Sequence, residues 1–147
     1  MSATDYLYDL LFPPVIVDGD TLHAFADLGF KTSIQVIVRL DGLDAPEVHS
    51  LDSLELQAGN KAKAIVAAWC AAYAPAGLQL LSNSIDKYGR SLGVISCVKV
   101  PQSLNDYLLT NKLVRVYGGE AKKPWDVAVL KAIVDFPMPV FTLPAKK

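Results

Sequence analysis

The feature that most constrains the fold is a change of hydrophobic period near residue 53. Before it, the β-branched run at residues 15–17 and the segments 21–25 and 30–40 are predicted strands, separated by the turn signals Asp-Gly and Asp-Leu-Gly. In the third segment, apolar side chains alternate with polar ones, which is typical of a strand with one buried face. Strands connected by such short turns pair with their chain neighbours, so the pattern predicts an antiparallel meander.

After residue 53 the period becomes helical. Apolar side chains recur three and four positions apart over residues 54–73, which predicts an amphipathic helix that ends before Pro75 and Gly77. The remaining segments predict strands at 78–81, 91–100 and 113–117, a polar loop at 82–89, a short helix at 103–110 capped by Ser103, and a last helix with Pro124 in its first turn. Few helices separate the strands, so we expect an α+β protein that is mainly β: a small five-stranded barrel, closed or nearly closed, with three packed helices.

Length and composition are those of one folded domain. The chain has 147 residues, 52% hydrophobic and 20% charged, which excludes a disordered protein. No apolar run approaches the roughly 20 residues of a membrane span. We expect one domain over residues 1–147, with a core at about 15–136 and an irregular tail at 137–147. The apolar stretch at 136–143 is expected to pack on its own chain, not on a second copy.

The net charge, the cysteines and the start of the chain limit the kind of ligand that this protein binds and the compartment in which we expect it. Fourteen Lys and Arg against fifteen Asp and Glu give a net charge of −1, which excludes a protein that binds nucleic acid through a general basic field. Cys70 and Cys97 lack the spacing of metal ligands and are expected to be buried free thiols. The start of the chain does not read as a signal peptide. We therefore expect a cytoplasmic protein with no membrane contact and no obligate protein partner.

Three polar clusters fall at strand ends or in adjoining loops: residues 18–21 (Asp-Gly-Asp-Thr), 39–47 (Arg-Leu-Asp-Gly-Leu-Asp-Ala-Pro-Glu) and 86–90 (Asp-Lys-Tyr-Gly-Arg). Each alone reads as an ordinary polar turn or solvated loop. Together they supply carboxylates and two guanidinium groups without a His, Ser or Cys set. Carboxylates bind hard cations, arginines pair with phosphate oxygens, and a further carboxylate can orient or deprotonate water. The combination therefore suits phosphodiester chemistry.

In these three motifs, taken in this order, the chain resembles the staphylococcal nuclease (thermonuclease) family from about residue 15 to residue 117. The resemblance implies an OB-type five-stranded barrel with three helices. It also implies Ca²⁺-dependent hydrolysis of DNA and RNA with little sequence specificity, leaving 3′-phosphate ends. Nucleic acid would then be the substrate and Ca²⁺ the cofactor.

The resemblance also implies a role for individual residues. Asp20 and Asp44 match two calcium-binding carboxylates, and Ala45 stands where a backbone carbonyl is the ligand. The next residue, Pro46, restricts Ala45 to an extended backbone, which suits that use. Glu47 matches the carboxylate that activates the attacking water.

Four further positions match groups that contact phosphate. Arg39 and Arg90 match the two phosphate-binding arginines, and Lys87 and Tyr88 match neighbours that contact nucleotide phosphate. Asp41 shares a strand face with Arg39 and is either its partner or an exposed charge, of which we favour the second.

The chain departs from the family in some places. Residues 48–55 contain no Lys or Arg, so electrostatic steering of nucleic acid should be weak. His49 and the pairs Lys122-Lys123 and Lys146-Lys147 are expected to be solvated. Tyr117 matches the nucleotide-stacking tyrosines of the family only loosely, so we assign it no role. Trp69 and Trp125 are expected to be core residues.

Two other functions remain open. One is a nucleic-acid-binding or protein-binding module without turnover. The other is a structural barrel with a vestigial site, which predicts that metal leaves the melting temperature unchanged.

Overall fold

The computed structural model describes residues 5–145, so the interpretations of residues 1–4 and of Lys146-Lys147 lie outside the described residues. Within that range the elements are β1 (Tyr6–Asp9), β2 (Val15–Asp18), β3 (Thr21–Gly29), β4 (Thr32–Leu40), β5 (Leu43–Asp44), α1 (Ser53–Tyr73), β6 (Leu78–Ile85), β7 (Ser91–Cys97), α2 (Leu104–Thr110), β8 (Arg115–Val116) and α3 (Val127–Asp135), with a 3₁₀ turn at Ala74–Ala76 after α1. The predicted class, α+β and mainly β, is confirmed.

Six strands form one sheet in the order β1-β6-β7-β4-β3-β2, and β5 pairs with β8 in a second, two-stranded sheet. The pairs β2–β3 and β3–β4 are antiparallel, which confirms the meander, whereas β4 and β7 are parallel. We expected a five-stranded barrel that is closed or nearly closed, and a closed barrel is not what the structure shows, because β1 and β2 are the two edges of a six-stranded sheet. The residues after β1 do contact β3, because Leu10 forms a bridge with Ala26 and the Leu11 N–H donates to the Phe25 carbonyl oxygen at 3.0 Å.

Several element boundaries differ from the sequence prediction, for example the end of β3, at Gly29 and not at residue 25, and the end of β7, at Cys97 and not at residue 100. Two of the differences have a clear physical reason. Strand β6 continues to Ile85, into the predicted polar loop, because its backbone pairs with β7 up to Ser91. Helix α3 begins at Val127 and not at Pro124, since the Asp126 carboxylate accepts a hydrogen bond from the Ala128 N–H at 2.8 Å and caps the helix. The predicted cap of α2 is confirmed, with Ser103 accepting from the Asp106 N–H at 3.0 Å.

The core lies between the sheet and α1. Trp69 on α1 is fully buried, as predicted, and Cys70 and Cys97 are buried free thiols. The C-terminal tail packs on the same chain, as expected, because the Phe141 ring lies 5.9 Å from the Tyr73 ring and 5.1 Å from the Tyr107 ring. Within the described residues, no helix has both the length and the apolarity to cross a bilayer.

Strand register brings the three polar clusters to one end of the sheet. Thr21 on β3 pairs with Arg39 on β4, and Arg39 pairs in turn with Leu92 on β7, which follows the β6–β7 turn. Packing against α1 then fixes the loop that carries Glu47. A Cβ on Gly59 of α1 would lie 2.7 Å from the Pro46 carbonyl oxygen, so only glycine lets the helix approach this loop so closely.

Candidate active site

Arg39, at the end of β4, joins two carboxylates from different segments. Its Nη1 forms an ion pair with Oδ2 of Asp20, and its Nη2 lies 3.2 Å from Oδ1 of Asp44 and donates to the Leu43 carbonyl oxygen at 3.2 Å. Arg39, Asp20 and Asp44 are all buried. One guanidinium group therefore brings the two predicted metal-binding carboxylates together.

Asp20 is held by its surroundings on both oxygens. Oδ2 accepts the backbone N–H of Ala45 at 2.8 Å, and Oδ1 accepts the Thr21 hydroxyl at 2.9 Å. Burial by itself would raise the pKa of Asp20, but hydrogen bonding to Asp18 and the charge of Arg39 outweigh it and hold the pKa below its ordinary value. Asp20, Asp44 and Ala45, the three positions predicted to bind metal, thus lie close together.

Asp18 is an additional acid that the residue-by-residue assignment missed. Its Oδ1 accepts the Asp20 N–H at 3.1 Å, and burial, reinforced by the neighbouring Asp20 and by Glu47, raises the pKa of Asp18 to about 7. Among residues 5–145 no basic nitrogen lies within 4.0 Å of its carboxylate. The Asp-Gly-Asp pattern was the available signal, because a tight turn keeps both acids on one corner.

Two further cations contact Asp44. Arg115 approaches Oδ2 with Nε at 3.0 Å and Nη2 at 2.9 Å, and the Lys122 ammonium lies 3.0 Å from Oδ1. Lys122 is 44% exposed, in keeping with the expectation that it is solvated, but the loop after β8 carries it back over the site, where it forms ion pairs that the sequence did not predict. Arg115 lies opposite Asp44 in the β5–β8 ladder; a strand was predicted over its position, but the pairing that brings it to Asp44 was not.

Glu47 is the most exposed of the predicted acids. Its side chain is 54% exposed, and Oε1 lies 3.8 Å from the Lys122 ammonium. Its backbone N–H donates to the Glu55 carboxylate at 3.0 Å, which ties the loop to the start of α1. The Glu47 carboxylate is therefore positioned by its backbone while its side chain stays accessible to water.

Asp86 organises the turn that carries the second arginine. One oxygen accepts the backbone N–H groups of Tyr88 and Arg90, both at 2.9 Å, and the other accepts Nε of Arg90 at 2.8 Å. These bonds outweigh desolvation and lower the pKa of Asp86. The Tyr88 ring lies 5.2 Å from the Lys87 ammonium and 5.3 Å from the Arg90 guanidinium carbon. Asp86 is thus a positioning residue that the sequence assignment did not name.

A cavity of about 640 Å³ collects most of these side chains. Of the eight predicted site residues, six line it: Asp20, Arg39, Glu47, Lys87, Tyr88 and Arg90. Asp44 and Ala45 are buried and do not belong to its lining. Asp18, Tyr117 and Lys122 also line the cavity, and the Tyr117 ring lies 5.9 Å from the Arg39 guanidinium carbon. One wall is therefore acidic, and cationic groups adjoin it.

Two side chains near the site differ in part from their sequence interpretation. Asp41 does not pair with Arg39, as the favoured interpretation expects, but it is not simply an exposed charge, because its carboxylate accepts a hydrogen bond from the Asn83 amide at 2.8 Å. Trp125 is half-buried, not a core residue, and its ring stacks on Arg115, whose guanidinium carbon lies 4.1 Å from the ring centroid. Arg115 therefore links Asp44 to the segment that precedes α3.

Oxygen donors for a hard cation lie in the acidic wall of the cavity, at Asp18 and Asp20, and outside its lining, at the buried Asp44 and Ala45. Asp18, Asp20, Asp44 and the backbone of Ala45 could supply them, and carboxylate and carbonyl oxygens are what Ca²⁺ and Mg²⁺ prefer. Within residues 5–145 no three His, Cys, Asp or Glu side chains already stand as a ready set of ligands. Asp44 has to give up part of its contact with its three cations before it can bind a metal.

Comparison with known proteins identifies the family of this chain. A family model described as staphylococcal nuclease homologue matches residues 37–132, which is well over half of the chain. The matched region contains the second and third polar clusters. A search of curated proteins finds no match.

Proposed function

Because the chain belongs to the staphylococcal nuclease homologue family, we propose that it is a calcium-dependent nuclease that hydrolyses phosphodiester bonds of DNA and RNA with little sequence preference. Family membership indicates a nuclease-like or nucleic-acid-binding domain. The finer OB-type classification is part of the same proposal, and it rests on the antiparallel meander and on the parallel pair β4–β7.

One observation carries the proposal. The buried Arg39 guanidinium contacts both Asp20 and Asp44, and it borders a cavity that Arg90 reaches from the β6–β7 turn. A phosphodiester in this cavity would meet an acidic wall able to hold a metal and guanidinium groups able to bind phosphate oxygens. Phosphoryl transfer depends mostly on such positioning and charge neutralisation.

The donor chemistry of the acidic wall fits a hard divalent cation. Asp20 and Asp44 already share one cationic group, and Asp18 adds a carboxylate with no basic nitrogen nearby among the described residues. Asp20, Asp44 and the Ala45 carbonyl would hold Ca²⁺. When bound, such an ion polarises a phosphate oxygen and makes a coordinated water more acidic.

The residues of the chain then divide the work on the substrate. Glu47, accessible and lining the cavity, orients the attacking water or accepts its proton. Arg90 and Arg39 neutralise the charge that builds on the phosphoryl oxygens, and Arg39 must release one of its present contacts to do so. Lys87 and Tyr88 hold a neighbouring nucleotide phosphate. Attack of the water oxygen on phosphorus breaks the bond to the 5′ oxygen, which leaves a 3′-phosphate and a 5′-hydroxyl.

The test is digestion of plasmid and of 5′-labelled single strands in Ca²⁺ and in EGTA. We expect cleavage with Ca²⁺, none with EGTA, and 3′-phosphate ends. Arg90→Ala should lower the cleavage rate by about 10²–10³-fold, as loss of one electrostatic donor does elsewhere. Lys99→Ala removes an exposed positive charge outside the cavity lining and serves as its matched control. Undiminished digestion in EGTA would exclude the metal role.

A second candidate is a nucleic-acid-binding module without turnover. It is favoured by the three cations on Asp44, which neutralise an acid that the nuclease needs for its metal. Tight binding of single-stranded DNA or RNA with no cleavage in Ca²⁺, Mg²⁺ or Mn²⁺ would identify this module and reject the nuclease.

A further inference from the structure

We infer that Lys122 is a built-in competitor of the metal ion: its ammonium contacts the carboxylates of Asp44 and Glu47, and a divalent cation that binds there must displace it. This inference rests on the proposed metal site, but it concerns a residue to which the family resemblance assigns no role. It makes Lys122 a determinant of metal affinity.

Lys122 contacts two acids of the proposed site, Asp44 and Glu47. Its ammonium lies 3.0 Å from Oδ1 of Asp44 and 3.8 Å from Oε1 of Glu47, so it spans the predicted metal ligand and the predicted water-activating group. It also lies 5.5 Å from the centre of the Tyr117 ring and lines the cavity. A carboxylate oxygen that is bound to an ammonium is less available to a metal.

The loop that carries Lys122 is anchored on both sides. The Glu120 carboxylate accepts the Gly118 N–H at 2.8 Å, and Gly119 adopts a positive φ of 96°, which turns the chain back toward the site. On the other side, Arg115 donates to the Lys123 carbonyl oxygen at 2.8 Å. The loop therefore holds Lys122 over the acids.

Lys122 is the most readily displaced of the three cations on Asp44. Its side chain is 44% exposed, against 25% for Arg115 and 9% for Arg39. Arg115 holds Asp44 through two nitrogens and stacks on Trp125, and Arg39 also binds Asp20. An ammonium on a flexible stem that already meets water loses little when it leaves, whereas the two guanidinium groups are fixed by several bonds.

Competition for one oxygen has a thermodynamic consequence. If the ammonium and the metal exclude each other, the strength of the ammonium contact lowers metal affinity by the same factor. A partly exposed ion pair is weak, so removing Lys122 should tighten metal binding by about three- to tenfold. A lysine that only solvates the loop would leave the affinity unchanged.

Calorimetric titration of the purified chain with Ca²⁺, without nucleic acid, tests the inference. We expect Lys122→Gln to bind Ca²⁺ about three- to tenfold more tightly than wild type and Lys122→Arg, which keeps the charge, to bind like wild type. Lys123→Gln removes the same charge from the neighbouring position, so it measures how far the loss of any nearby positive charge raises the affinity for Ca²⁺. Equal affinity of the Lys122→Gln and Lys123→Gln variants would overturn the inference.

A measurement on the wild type removes any dependence on how the variants fold. Amine acetylation followed by peptide mass spectrometry should show faster labelling of Lys122 when Ca²⁺ is present, with Lys123 unchanged. Labelling of Lys122 that is indifferent to Ca²⁺ would count against displacement. Ca²⁺ binding without cleavage would reject the nuclease and leave the competition standing, whereas absence of Ca²⁺ binding in every variant would reject both.

Discussion

Nη2 of Arg39 lies 3.2 Å from Oδ1 of Asp44, and both side chains are buried. The same guanidinium binds Asp20, so one cation neutralises charge from two separate segments of the chain. The residues proposed for phosphate and metal binding thus also hold this end of the fold together, so a mutation at one of them should affect stability as well as activity.

Replacing Arg39 should damage stability as well as cleavage. Arg39→Ala leaves Asp20 buried without its cation, and removing one partner of a buried ion pair costs about 3–5 kcal/mol in free energy of unfolding. Urea denaturation measures this loss. Arg90→Ala is the matched comparison, because Arg90 is more exposed and pairs with Asp86 in a surface turn, where the cost should stay below about 1 kcal/mol. A similar cost for both variants would contradict the structural role of Arg39.

Calcium should stabilise the native chain. A ligand that binds only the folded protein adds about 2.7 kcal/mol to the free energy of unfolding at a concentration of 100 times its Kd. We expect a higher melting temperature in Ca²⁺ than in EGTA, and no such shift in Asp20→Asn. The vestigial-site hypothesis predicts instead that wild type melts at the same temperature in both conditions.

Packing of α1 against the Glu47 loop should not tolerate a methyl group. In Gly59→Ala the new Cβ would lie 2.8 Å from the Glu47 carbonyl oxygen, so the loop or the helix has to move. Helix propensity alone would make the alanine variant about 1 kcal/mol more stable than the glycine wild type. A net loss of stability would therefore have to come from the steric conflict. We expect the free energy of unfolding, measured by urea denaturation, to fall by about 1–3 kcal/mol, and cleavage to be slower. A stabilised variant with full activity would show that the loop is not held by this contact.

Burial of Cys70 should make stability fall at alkaline pH. Burial raises the pKa of its thiol from 9.0 to about 12, so the unfolded chain loses this proton at lower pH than the native one. Between these two values the unfolded state binds fewer protons, and the free energy of unfolding decreases by about 1.4 kcal/mol per pH unit through this group. The difference in urea stability between wild type and Cys70→Ala, measured across that range, should reveal the slope. A difference that is independent of pH would contradict a buried thiol.

Asp86 should affect substrate binding through Arg90. Asp86→Ala removes the acceptor of two backbone N–H groups and of the Arg90 Nε, so the arginine loses its orientation. We expect KM for nucleic acid to rise about tenfold, the equivalent of about 1.4 kcal/mol, while the fold is retained. Asp106→Asn, an exposed acid on α2, is the control. An unchanged KM would leave Asp86 as a purely structural turn residue.

Local sequence pattern was sufficient for much of the fold. Helix α1, the meander and the Ser103 cap follow from periodicity and capping chemistry, which act between residues close in the chain. Strand β1 was missed because Asp5 and Asp9 interrupt its apolar pattern and its partner β6 lies 70 residues away. The open edge of the sheet follows from that pairing, and no local signal reports it.

The motifs identified which residue types gather at the site, since carboxylates and arginines at strand ends have a chemistry independent of their exact positions. The tertiary structure decided which of these charged side chains contact each other. Asp41, next to Arg39 on its strand face, turned out to bind Asn83, while Arg39 binds Asp20 and Asp44. Arg115 and Lys122 join them only because β8 pairs with β5 and the following loop turns back. Ion pairing depends on distance in space and on burial, and a sequence states neither for residues far apart along the chain.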